Sequence, residues 1–205
     1  MSESNSSGKI PPPEKDGRRY LFTYRSYTPI PFMVIMVLFA SPTAVSLIVG
    51  FILAVAGEFV RFWGVSYAGS ETRTTGSVGG TQLVTNGPYA YVRNPLYMGN
   101  ILMYLGVGVM SNALMPYLQL IALAYFIFQY AAIINIEEQY LAQTFSEWNI
   151  YSANVNRYSP RLKPFHGNAD LVPNVSRAAR SERSSLIALT ALTILLFIVY
   201  VARSS

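Results

Sequence analysis

The sequence predicts an all-α protein, a multi-pass transmembrane helical bundle of about five helices, and three observations lead there. Of 205 residues 52% are hydrophobic and only 12% are charged, about half the charge of a typical soluble domain. The few charges are segregated. Between Ile30 and Phe59 the only one is Glu58, and from Pro95 to Ile136 there is none, as expected of membrane spans rather than a soluble core. Finally, if the N-terminus is cytoplasmic and the spans alternate, residues 1–28, 61–95 and 137–185 hold 14 of the 15 Lys and Arg residues, and only Arg203 lies on the far side. That is the positive-inside pattern.

Residues 1–19 are rich in Ser, Pro and Lys and read as a flexible arm. The polar opening of the chain does not resemble a cleavable signal peptide. Tyr20 to Ala40 is the first span, with its apolar part in IPFMVIMVLFA and two prolines, Pro29 and Pro31, at its start. Ser41-Pro42-Thr43 is a turn with a helix-start signal. Thr43 to Trp63 is the second span, in which Gly50, Ala54 and Gly57 are spaced for close contact with another helix. Gly64 to Arg93 reads as loop. Pro95 to Met110 is the third helix, Ser111 to Met115 a connection, Pro116 to Ile136 the fourth helix, and Leu186 to Ala202 the fifth. The implied division is an arm at 1–19, a membrane domain at 20–165, a polar linker at 166–185 and an additional transmembrane helix at 186–202.

Composition also narrows the chemistry. The absence of cysteine excludes disulfides, a thiol nucleophile and thiolate metal sites, and a single histidine, His166, excludes a multi-histidine site. No metal site is expected, and His166 is expected on a surface loop. The net charge of +5 flanks apolar segments instead of forming a stripe. Membrane lipids are therefore the expected counterpart and nucleic acid is not.

One stretch departs from ordinary membrane sequence: 85-TNGPYAYVRNPLYMGN-100. Asn94-Pro95 is a helix start, with Asn as the expected cap and Pro where its missing N–H costs nothing. The helix N-terminus, with Arg93 beside it, can receive an anion. Tyr89, Tyr91 and Tyr97 are expected to form an aromatic wall suited to a flat base or a cation. At 1.5 Å per residue the third helix runs about 24 Å outward and the fourth about 31 Å back. Glu137 and Glu138 are thereby returned to the depth of Arg93 and Asn94, which makes a polar cleft at the cytoplasmic end. Asn100, inside the third span, reads as helix–helix glue, and Glu58 and Arg61, one turn apart, as a local ion pair.

LVTNGPYAYVRNPLYMGN, a helical hairpin, and then EEQYLAQTFSEWNIYSANVNRYSPRLKP resemble the isoprenylcysteine carboxyl methyltransferase and phospholipid methyltransferase superfamily. These are integral-membrane enzymes that transfer a methyl group from S-adenosyl-L-methionine to a lipid-like acceptor. The resemblance runs from about Glu58 to Pro164. It implies a cytoplasmic cofactor cleft with contacts at Thr81, Gln82, Leu83 and Val84, at Tyr89, at Asn94, Pro95, Leu96 and Tyr97, and at Glu137. Arg93 and Glu138 are the candidate catalytic residues beside them, and the acceptor is expected to be hydrophobic or lipid-like. Two departures stand out. Asn94 occupies a position where the family often has histidine. Ile133 stands where the prenylcysteine enzymes carry a substrate-binding arginine, which disfavours a prenylcysteine acceptor. The alternatives are an NADPH-dependent membrane reductase of the sterol reductase type and a non-enzymatic membrane adaptor with the same fold. GSVGG at 76–80 lacks the spacing of a dinucleotide-binding loop.

Overall fold

The computed structural model describes residues 24–69, 82–167 and 171–204. The expected arm at 1–19, the start of the first span and residues 70–81 of the 64–93 loop lie outside the described residues. Those that are described form six α-helices and no strand: α1 (Pro29–Leu38), α2 (Ala44–Ala68), α3 (Pro95–Ser111), α4 (Tyr117–Thr144), α5 (Trp148–Asn154) and α6 (Val175–Ser204). A short 3-10 turn, Gly87–Ala90, precedes α3. The helices α2, α4 and α6 are long and apolar enough to cross a membrane.

Several boundaries differ from the sequence expectation, each for a local reason. The first helix is much shorter than Tyr20 to Ala40. It begins at Pro29, where a proline needs no N–H partner, and tolerates Pro31 because that residue also falls in the first turn. Its 10 residues reach about 15 Å, half a bilayer core. Thr43 caps α2 as expected: its hydroxyl accepts from the Ser46 N–H at 3.1 Å and the Ser46 hydroxyl accepts from the Thr43 N–H at 2.9 Å. The helix then continues past Trp63 and stops only at Gly69, whose φ of 75° suits glycine. Helix α4 runs two turns beyond Ile136, so Glu137 and Glu138 sit inside a helix instead of at its exit. Residues 175–185, expected in a polar linker, are the first turns of α6. Asn174 starts them, its side-chain oxygen accepting from the Arg177 N–H at 2.9 Å.

The seam between α2 and α3 organises the bundle. Gly50, Ala54 and Gly57 face Gly99, Met103 and Gly106, and the backbones approach so closely that no side chain separates them. Small residues at this spacing permit van der Waals contact where lipid offers no hydrophobic driving force. At one end of the seam the α1–α2 and α3–α4 turns are tied together. The Ser41 N–H donates to the Ser111 carbonyl at 2.8 Å and the Asn112 amide donates to the Ser41 carbonyl at 3.0 Å. Buried Gln119 donates to the carbonyls of Gly108 (2.9 Å) and Ala113 (3.0 Å). The functional candidates gather at the other end.

A Cβ added at Gly57 would lie 2.5 Å from the Met103 nitrogen and 2.6 Å from the Gly99 oxygen, both rigid backbone. Gly57→Ala is therefore expected to lower stability by about 1–3 kcal/mol, the cost typical of overpacking. Val45→Ala, on the outer face of the same helix, is expected to change little. Reversible unfolding in mixed micelles measures both, and equal behaviour of the two variants would contradict the tight seam.

Candidate functional site

The α3–α4 hairpin brings Glu137 and Glu138 back beside the start of α3. The Tyr97 hydroxyl donates to Glu137 Oε1 at 2.7 Å. Glu138 is a hub. Its Oε1 accepts from the Asn94 amide at 3.2 Å and lies 3.1 Å from Arg93 Nε. Its Oε2 accepts from Arg93 Nη2 at 3.3 Å and from Arg157 Nε at 3.0 Å. Two guanidiniums thus face one buried carboxylate, which compensates a charge that would otherwise be costly to bury.

Arg93 is committed on every side. Nη1 donates to the Ser152 carbonyl at 2.8 Å, its backbone N–H to the Asn156 carbonyl at 3.0 Å, and its guanidinium lies 5.5 Å from the Trp148 ring centroid. Helix α5, which sequence reasoning missed, is part of this fastening. The Tyr151 hydroxyl donates to the Tyr89 carbonyl at 2.9 Å. Burial holds the Tyr89 phenol well above its ordinary range, with Tyr151 and Glu137 adding to the effect. Burial likewise raises Tyr151 despite the opposing charge of Arg93. Both hydroxyls are therefore neutral donors at physiological pH.

A cavity of about 800 Å³ runs along α3 from Asn94 to Val107, a rise of about 20 Å. Gln82, Leu83 and Val84 line it from the segment after the undescribed loop, and Tyr89 from the 3-10 turn. Arg93, Asn94, Pro95, Leu96 and Tyr97 line it from the start of α3, and Glu137 and Glu138 from α4. Thr81 lies outside the described residues. Two details differ from expectation. Asn94 starts α3 without a side-chain cap, because its amide is turned to the Glu138 carboxylate instead. Tyr91 leaves the aromatic wall and packs on Trp63, ring centroids 6.0 Å apart. Tyr104 and Tyr130 take its place, lining the cavity with Tyr89 and Tyr97.

Further in, Arg61 joins three helices. It lies 3.5 Å from Glu58 Oε2 on its own helix, donates to Glu182 of α6 at 2.7 Å, and donates to Asn100 of α3. The expected local pair is present and is part of a larger cluster. Arg157 and Glu182 were not among the sequence candidates, since one falls in an apparent loop and the other in an apparent linker. Ile133 is fully buried in the α4 core, and His166 is exposed.

Removing the Glu138 charge would strand Arg93 in a buried setting. Glu138→Gln is expected to cost about 3–5 kcal/mol of stability, with a smaller loss for Arg157→Ala because Arg157 is the more exposed partner. Denaturant titration of both variants tests this. Small and equal losses would mean that the hub is screened by solvent.

Several known proteins are similar to this chain in sequence. The sequence model of the phospholipid methyltransferase family matches residues 45–148. The chain is also similar to the cobalt-zinc-cadmium resistance protein CzcN of Cupriavidus metallidurans. The two are 34% identical over 137 residues, which are 66% of this chain and 58% of that protein. The nickel-cobalt-cadmium resistance protein NccN of Alcaligenes xylosoxydans xylosoxydans is 34% identical over 95 residues, 46% of this chain and 44% of that protein. The chain thus spans less than two thirds of the length of either relative. No solved structure matches it significantly. With half of its length covered by the family's sequence model and an all-helical membrane fold, this chain belongs to the phospholipid methyltransferase family.

Proposed function

We propose that the protein is an S-adenosylmethionine-dependent methyltransferase of the membrane, acting on a hydrophobic or lipid-like acceptor. One observation carries this reading. Residues 82–84, 89, 93–97 and 137–138, far apart in sequence, line a single cavity whose polar end holds a carboxylate, a helix N-terminus and tyrosine rings. The cavity of about 800 Å³ is in the range that accommodates a nucleoside-sized molecule with a second ligand beside it.

The donor set suits S-adenosylmethionine. When bound, that molecule supplies a methyl group activated on a sulfonium. Glu137, held by the Tyr97 hydroxyl, accepts hydrogen bonds from the donor's amino or hydroxyl groups. The first turn of α3 offers backbone N–H groups and the positive end of the helix dipole to a carboxylate. Arg93 and Glu138 serve here as positioning residues, since their polar atoms are already occupied by one another, Asn94, Arg157 and Ser152. They hold α3, α4 and the segment after α5 at a fixed distance. The rings of Tyr89, Tyr97, Tyr104 and Tyr130 give a cation a favourable surface. Holding donor and acceptor in line contributes on the order of 7–11 kcal/mol of the barrier.

The asymmetry of Lys and Arg supports a cytoplasmic placement of the Asn94 end. The relatives' names speak of metal resistance, a physiology rather than a reaction. Among the described residues no group of three or more His, Cys, Asp or Glu is placed to hold a metal ion.

Calorimetry on the protein in lipid nanodiscs tests the donor. S-adenosylmethionine is expected to bind saturably. Glu137→Gln is expected to weaken it by about 10- to 100-fold, the equivalent of one charge-assisted hydrogen bond. NADPH binding without S-adenosylmethionine binding would favour the reductase, and no binding of either the adaptor. Orientation is testable because the chain has no cysteine. In spheroplasts Leu114→Cys is expected to react with an impermeant maleimide, and Asn86→Cys only after permeabilisation.

A further inference from the structure

The short first helix brings the chain that precedes it to the depth of the cavity. Measured from the tied α1–α2 and α3–α4 turns, α1 rises about 15 Å and α3 about 26 Å. The turn at 24–28 therefore lies alongside α3 and not beyond its start. It is closed by the Tyr27 N–H, which donates to the Tyr24 carbonyl at 2.9 Å. Its end is fastened to the bundle. The Thr28 hydroxyl lies 3.1 Å from the Arg25 carbonyl and 3.0 Å from Oε1 of Gln129, a fully buried residue of α4. Tyr24 and Tyr27 are exposed, whereas Arg25 is half-buried and borders the cavity.

Arg25 faces the donor end. Gln129 and Glu137 are about 12 Å apart along α4, a distance that the turn and a long arginine side chain together cover. The Arg25 charge accordingly acts on Glu137, Tyr97 and Tyr130. Glu137 nevertheless takes its hydrogen bond from Tyr97 and not from Arg25. A guanidinium and a carboxylate thus border one cavity from different elements, within electrostatic reach of each other and with ligand space between them.

That arrangement has a chemical complement. An α-amino acid carries an ammonium and a carboxylate on the same carbon, and burying it costs least when each charge meets its opposite. Arginine presents five N–H donors in a fork that matches a carboxylate, so one guanidinium serves a neighbour and a ligand together. The first turn of α3 offers a carboxylate only the partial charge of its dipole, and Arg25 adds a full one. Arg25 and α1 both precede the family match of residues 45–148.

We propose that Arg25, carried into the cavity by the turn before α1, is a binding residue for the α-carboxylate of the methyl donor, opposite Glu137, which takes the α-ammonium. The assignment rests on the methyl-transfer reading.

The test compares two ligands on the full chain in phosphatidylcholine nanodiscs by titration calorimetry. S-adenosylmethionine carries the carboxylate, and decarboxylated S-adenosylmethionine keeps the sulfonium and the amine without it. The unsubstituted protein is expected to bind the first on the order of 10- to 100-fold more tightly, the value of one charge-assisted hydrogen-bonded pair. Arg25→Gln should abolish that preference by weakening S-adenosylmethionine alone, and Arg25→Lys should keep part of it. Glu137→Gln should weaken both ligands, since both carry the amine. Tyr27→Phe, on the exposed side of the same turn, should change neither. Equal weakening of both ligands by Arg25→Gln would make the turn merely structural and overturn the proposal, as would no weakening at all. Should Arg25→Gln fail to fold, the unsubstituted protein still decides: equal affinity for the two ligands overturns the proposal. Binding of neither ligand would remove the methyl-transfer reading together with it, whereas binding that ignores the carboxylate removes only the role of Arg25.

Discussion

The arrangement depends on how one buried carboxylate is satisfied. Glu138 sits in the interior of α4, where an unpaired charge would be untenable, and its two oxygens require several donors at once. Those donors come from two places: Arg93 and Asn94 ahead of α3, and Arg157 after α5. Satisfying Glu138 therefore fixes the distance between two helices and recruits a peripheral segment. The constraint also sets Glu137. Once Glu138 is turned to the guanidiniums, the adjacent carboxylate points elsewhere and meets Tyr97. One glutamate is consumed by architecture, and its neighbour lines the cavity beside Tyr97.

The hub would achieve little without a rigid frame to act on. The glycine seam between α2 and α3 supplies it, because backbones in direct contact cannot slide or rotate without clashing. The frame carries α3, along which the cavity runs. It also holds Arg61 beside Gly99 and Asn100, within reach of Glu182. Charged residues at this depth in a membrane protein are expensive, and they persist where partners from other helices compensate them. The Glu138 hub and the Arg61 cluster are thus charged fastenings, one at the end of the cavity and one partway along it.

The two fastenings join different parts of the chain. The first lies within or next to the segment that matches the family, and ties α3 to α4 and to the 148–165 region. The second ties the family segment to α6, which follows it. The function of a fold resides in such sites rather than in the helix arrangement itself.

Much of this was legible in the residues alone. The uncharged runs announced the long helices, Gly50-Ala54-Gly57 announced the seam, and Asn94-Pro95 announced the start of α3, because these signals are local in sequence. Helix rise was enough to bring Glu137 and Glu138 back to Arg93. What the residues alone did not determine was every choice made between distant partners. Asn94 abandons its cap for Glu138, Tyr91 turns to Trp63 while Tyr104 and Tyr130 enter the cavity, and α6 begins eleven residues early around a charge that hydropathy counted as linker. A polar side chain in an apolar medium goes where its strongest partner is. That partner is fixed only when the chain has folded.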